Sequence, residues 1–187
     1  MRKFIISILA GYTVFLLTLG YPGMATGLTI AEATVEEVTT ESDLVVYGTV
    51  TDQFSQWDAT GRNIYTYNAI RISEVLRGEG LGTTVVVREL GGKVGPDEAR
   101  VNGLRYLRDN EEVVLFLRKT DDENVYKIHS FSLGLFLATE KDGQTVFRNA
   151  SGKVRMMDTD GTAKSSGSNQ ENRFEKTDLF RRIRDIK

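Results

Sequence analysis

The side chains best suited to chemistry are few and dispersed along the chain. His129 is the sole histidine of the 187 residues, which excludes a two-histidine zinc helix or any histidine cluster. Ser130 and Ser132 lie close enough to it to count toward a Ser-His-acid arrangement. No Gly-x-Ser-x-Gly elbow accompanies them, and neighbours on a strand point to opposite faces, so a structural histidine is expected. Asp158-Thr159-Asp160-Gly161 has the alternating carboxylates that open a calcium loop. Its glycine arrives before a third oxygen ligand, and neither Glu171 nor Glu175 supplies the distal one in register, so a solvated linker is expected there. Gly78-Glu79-Gly80-Leu81-Gly82-Thr83-Thr84 shares only its glycine content with phosphate-cradling loops: it lacks the lysine and leads into a strand, as a hairpin turn does. Asp58 and Glu74 are a candidate pair of acids for a hydrolase, which needs two carboxyls at a defined separation across a cleft. The Asn149-Ala150-Ser151 sequon matters only in a cell with the transferase. No catalytic, cofactor-binding or metal-binding residue is assigned.

One group invites binding rather than catalysis. Phe54 and Trp57 fall at the end of one strand pattern and Tyr65 and Tyr67 at the start of the next. On one shared face they would make a stacking platform for a sugar or an extended peptide. Aromatics on adjacent strands also pack simply against each other, and that alternative stays open.

These residues need elements to hold them. Thr29-Ile30-Ala31-Glu32 fits a capping box and predicts a helix over about 30–41, with a thin apolar stripe of Ile30, Ala31, Ala33, Val35 and Val38. Leu44 to Val50 then alternates as a strand, with Gly48 marking a bulge or sharp coil. Residues 63–76 read as a second strand, and the out-of-phase Val75 points to a bulge near Ser73. Thr83–Leu90 is a third strand, followed by a loop over 91–96 rich in glycine. Glu112–Arg118 is apolar on both faces and belongs in the centre of a sheet. Val125–Phe131, Leu133–Thr139 and Thr145–Arg148 complete the strands.

Residues 158–172 are almost free of apolar side chains and read as a linker. Arg173–Lys187 then carries Leu179, Phe180, Ile183 and Ile186 on one helical stripe behind a Thr177 cap. Its basic residues would let it lie on an anionic membrane, although Glu175, Asp178 and Asp185 offset about half the charge. Docking back over an open sheet edge is the preferred expectation. The fold class that follows is mainly β: a small closed or partly open antiparallel barrel with an N-terminal and a C-terminal helix.

The N-terminus has the three parts of an export signal. Arg2 and Lys3 precede an uncharged apolar run from Phe4 to Tyr21, and Gly23-Met24-Ala25 offers a small-residue exit. Cleavage after Ala25 leaves a domain of about 160 residues with a single core, comprising a helix-plus-barrel unit over 26–157, the linker and the C-terminal helix. An uncleaved anchor is the alternative, because the run just reaches spanning length. With 24 basic and 26 acidic residues the net charge is −2, and removal of Arg2 and Lys3 makes it more acidic. Nucleic acid is therefore not an expected partner, and membrane contact is expected only through an uncleaved N-terminus or the C-terminal helix. The chain has no cysteine, which excludes lipid attachment at an N-terminal Cys, disulfides, thiolate metal sites and a Cys nucleophile.

Asp43-Leu-Val-Val-Tyr-Gly-Thr-Val50, the Tyr-rich strand ending Ile72-Ser-Glu-Val-Leu-Arg-Gly78, and Asn110-Glu-Glu-Val-Val-Leu-Phe-Leu117 together resemble the netrin-like or tissue-inhibitor-of-metalloproteinase-like barrels. The resemblance spans about residues 42–140 and implies a fold of the oligonucleotide/oligosaccharide-binding (OB) type, as in exported bacterial proteins of this pattern. The family's inhibitors bind protease zinc through an N-terminal Cys, so that mechanism has no counterpart here. The expected function is an exported, periplasmic or secreted, non-enzymatic module that binds an envelope or extracellular protein. An inhibitor or accessory of a secreted protease, and a carboxylate-dependent hydrolase, are the alternatives.

Overall fold

The computed structural model describes residues 33–79, 82–102, 104–152, 154–155 and 173–186. The expected export signal, the Thr29–Glu32 box, the expected linker at 158–172 and the Asp158–Gly161 motif lie outside the described residues.

The chain opens with strand β1 (Ala33–Thr34) and helix α1 (Val35–Thr40). The helix thus starts later than the expected residue 30. A second Thr-x-x-Glu follows the first in sequence, and this one makes both capping-box bonds: the Glu37 amide donates to the Thr34 hydroxyl and the Thr34 amide to the Glu37 carboxylate. Then come β2 (Leu44–Trp57), β3 (Ile64–Arg77) and β4 (Thr84–Leu90). The expected loop at 91–96 is instead part of a small hairpin, β5 (Gly92–Val94) with β6 (Asp97–Ala99). Gly91 and Gly92, at φ 109° and 139°, give the chain the turn that leads into it.

The second half contains β7 (Glu112–Lys119), β8 (Val125–Ile128), β9 (Leu135–Lys141), β10 (Gln144–Asn149), β11 (Val154–Arg155) and β12 (Arg173–Glu175), closed by helix α2 (Lys176–Asp185). The final helix is shorter than expected because Arg173–Glu175 pairs with β10, and Glu175, not Thr177, stands at its N-cap. Among the described residues no helix is long and apolar enough to cross a membrane.

The protein is mainly β, with one eight-stranded sheet ordered β12-β10-β9-β7-β2-β3-β4-β8 and a further pairing of β7 with β8. β7 is the centre, as its doubly apolar pattern requires. Val113 to Leu117 are wholly buried and alternate between two cores. Val114 and Phe116 join the core under α1 and α2, with Phe136, Phe147, Phe174, Leu179 and Ile183. Val113, Leu115 and Leu117 join the other, with Leu44, Val46, Ile70, Val85 and Ile128. The apolar stripe of α2 is therefore spent on the protein's own core.

The β2–β3 hairpin coils strongly because extra residues interrupt its register. Val45 pairs with Arg77, Val46 with Val75, Tyr47 with Glu74 and Gly48 with Ile72, so Leu76 and Ser73 are both bulged; Thr51 is passed over on the other strand. Gly48 sits where the strands press together, and a Cβ there would run into the Arg71 carbonyl. Gly48→Ala is expected to lower stability by about 1–3 kcal/mol, read as a lower urea midpoint at unchanged slope. An unaltered midpoint would mean the coil does not depend on that close approach.

Candidate functional site

A concavity opens where β4 and β8 separate. These two strands run parallel but share only two pairs, Val86 with Val125 and Val87 with Tyr126. Beyond them Arg88–Leu90 and Lys127–His129 diverge around a cleft of about 610 Å³, within the size range of ligand sites. Leu104 and Arg105 supply another wall, and Arg118, Lys119 and Asp43 the far end.

The lining is cationic. Arg88, Arg105, Arg118, Lys119 and Lys127 face two carboxylates, Asp43 and Glu89. Three of the cations are engaged: Arg88 with Asp122, Arg105 with Glu111, and Arg118 with Asp43 at 3.8 Å. Lys119 and Lys127 are exposed and have no ion-pair partner among the described residues. The cleft therefore has positive charge available for an anion.

Glu89 lies on the inner face of β4, at the polar end of the second core. Its Oε2 accepts from Asn68 Nδ2 at 3.0 Å and from the Leu107 amide at 3.3 Å. Burial pushes its carboxyl up to about 7, against the pull of those two donors and of Arg105.

His129 is buried at the rim. Its Nε2 lies 3.3 Å from Glu41 Oε2 and 3.2 Å from Ser130 Oγ. A proton relay needs the acid on one ring nitrogen and the hydroxyl on the other. Here both partners meet the same nitrogen, so the three residues do not form one. Burial holds the imidazole below its ordinary value, with Glu41 opposing. The strand expected to reach Phe131 stops at Ile128, because Ser130 and Phe131 take left-handed φ of 43° and 55° and begin a 3-10 turn. Phe131 is left 45 % exposed at the cleft mouth.

The four aromatics divide. Phe54 lies directly across from Tyr67, and their rings stack at 5.2 Å with a 9° interplanar angle. Tyr65 shares their face by strand alternation, stacks under Arg88 at 4.7 Å, and lines the cleft. Trp57, paired with Ile64, falls on the opposite face. Three of the four thus form a strip leading into the cleft, and Phe54 within it remains 53 % exposed.

The carboxyls of Asp58 and Glu74 do not converge. Asp58 holds the turn after β2, accepting from the Thr60 and Arg62 amides and from Asn63 Nδ2. Those bonds keep it well below the usual carboxylate range. Glu74 pairs with Arg184 of α2 near the other end of the hairpin, roughly 30 Å away at the strand rise.

Sequence reasoning missed the cationic lining and Phe131. Arg88 and Lys127 are distant in sequence and meet only through the β4–β8 pairing. The two left-handed residues at 130 and 131 carry no glycine or asparagine to announce them. The chain matches no family model and no curated protein.

Glu89 generates a pH prediction. Its folded value of about 7 exceeds the ordinary 4.5, so the folded state binds this proton more tightly. The associated stability is complete below about pH 4.5 and lost as pH rises through 7. Glu89→Gln keeps an acceptor for Asn68 and Leu107. It should shrink the stability difference between pH 5 and pH 8 by on the order of 1–3 kcal/mol, measured by urea denaturation at each pH.

Proposed function

We propose that this protein is an exported, non-enzymatic binding module whose β4–β8 cleft takes a carboxylate-rich segment of a partner protein. The observation that carries the proposal is the pair of uncommitted lysines, Lys119 and Lys127, in a cleft whose cations outnumber its acids five to two. A peptide with Asp or Glu side chains supplies the missing countercharge, while Phe131, Leu90 and Leu104 offer apolar contact beside it.

The strand pairings support an OB-type barrel as the scaffold. β7 pairs with β2, β2 with β3, β3 with β4, β4 in parallel with β8, and β8 with β7 again. A ring of five strands with a single parallel pair is the arrangement expected of that fold, and binding surfaces at its open strands are common. Export is supported by the basic start, apolar run and small-residue exit of residues 1–25.

Two measurements test this reading. Fluorescein-labelled hexapeptides rich in Glu and Asp should bind the purified domain by polarisation, weaken with salt, and lose about tenfold or more in affinity with Lys119→Glu/Lys127→Glu. Equal binding of an oligonucleotide of the same charge, or indifference to the double variant, would refute the site. Mass spectrometry of the full chain expressed in bacteria should find a mature N-terminus at Thr26; an intact Met1–Ala25 segment would instead mean an anchored protein.

A further inference from the structure

The backbone around the cleft adds a second kind of recognition, and the inference depends on the binding reading above. On β8, alternate residues turn their main-chain groups to β7: the Thr120 amide donates to the Val125 carbonyl and the His129 amide to the Phe116 carbonyl. The main-chain groups of Tyr126 and Ile128 therefore face β4. On β4 the Gly91 amide donates to the Ile64 carbonyl, so by the same alternation Val87 and Glu89 serve β3 while Val86, Arg88 and Leu90 face β8. The parallel ladder ends at the Val87–Tyr126 pair. Its next rung would join the Arg88 carbonyl to the Ile128 amide, and that rung is not made.

The protein itself prevents the ladder from closing. Immediately after Ile128 and His129, two successive left-handed residues turn the chain away, conformations that cost about 1–3 kcal/mol each for non-glycine residues. On the other side the Leu90 carbonyl is already taken by the Tyr106 hydroxyl at 2.9 Å. The rung left unmade is thus the one between the Arg88 carbonyl and the Ile128 amide, and both residues line the cleft.

We infer that the acidic segment binds as an extended strand that continues this interrupted ladder, bonding its own backbone to Ile128 and Arg88. Alternate side chains of such a strand point to opposite sides. By the strand register Lys127 shares one face with Arg88 and Leu90 while Lys119 turns to the other with Tyr126, so one set meets Lys127 with Leu90 beside it and the other meets Lys119. Backbone pairing fixes the direction and register of the segment; the lysines select its charge. The occupant is thus an extended acidic peptide with an apolar residue next to its acid.

The test uses the tightest acidic hexapeptide from the polarisation assay. A scan of single backbone N-methylations should weaken binding by about tenfold at alternate positions and hardly at all between them, the loss of one main-chain hydrogen bond in a desolvated site. In parallel, the Ile128 amide of the 15N-labelled domain should exchange with deuterium at least about tenfold more slowly when the peptide is bound. If N-methylation has no alternating effect and Ile128 exchange is unchanged, while Lys119→Glu/Lys127→Glu still abolishes binding, strand addition is wrong and the charged cleft stands. If no acidic peptide binds, both fall.

Discussion

The structure depends on a strand with no polar side. Val113 to Leu117 of β7 are entirely buried, so each face requires its own cover and each edge its own partner. The two aliphatic and aromatic cores meet these demands on the faces, with α1 and α2 closing one of them. β2 takes the whole of one edge, from Glu112 to Leu117. The other edge is divided: β9 pairs with Val113–Leu115 and β8 with Leu117–Lys119. A buried backbone left unpaired along that edge would cost about 1–3 kcal/mol per group, so the chain accepts an awkward path to satisfy it.

That path is what makes the site. Between β8 and β9 the chain keeps its direction along β7 but makes an excursion over residues 129–134, beside the Phe116 carbonyl, which accepts from the His129 amide. Gly134 passes so close to that carbonyl that a Cβ would meet it at 2.7 Å. Ser130 and Phe131 open that excursion in left-handed conformations. β8 is consequently held to β7 and cannot follow β4 beyond Tyr126. The cleft, the exposed Phe131 and the unfinished ladder are consequences of how the edge of β7 is shared.

Much of this was legible in the residues, and the remainder was hidden for identifiable reasons. The continuous apolar run at 113–117 announced a central strand, and Gly48 with the phase slip at Val75 announced the bulges that coil the hairpin. Such signals are local: periodicity and glycine report on the backbone that carries them. The helix start was misjudged because two Thr-x-x-Glu boxes occur in succession, and only tertiary pairing of Ala33–Thr34 with Val154–Arg155 chooses between them. The aromatic strip was three-quarters visible; Trp57 left it because a strand's alternation, continued to its last residue, sends position 57 opposite to position 54. The cationic cleft was invisible, since Arg88, Lys119 and Lys127 belong to three strands whose order no single sequence specifies.

The contrast between the whole and the site bears on how recognition works. The chain carries a net charge of −2, so an acidic segment gains little from long-range attraction, and at physiological salt the lysines act only within roughly 8 Å. Charge in the cleft therefore selects among segments that have already arrived rather than steering them in. Exposed lysines alone, worth about 1 kcal/mol or less per pair, would not hold a partner for long. The unfinished rung between Arg88 and Ile128 supplies directional bonds in a partly desolvated cleft, where they count for more than they would in water. The same divided edge of β7 thus supplies both the fold's central satisfaction and a local deficit, and that deficit is placed where a partner strand can meet it.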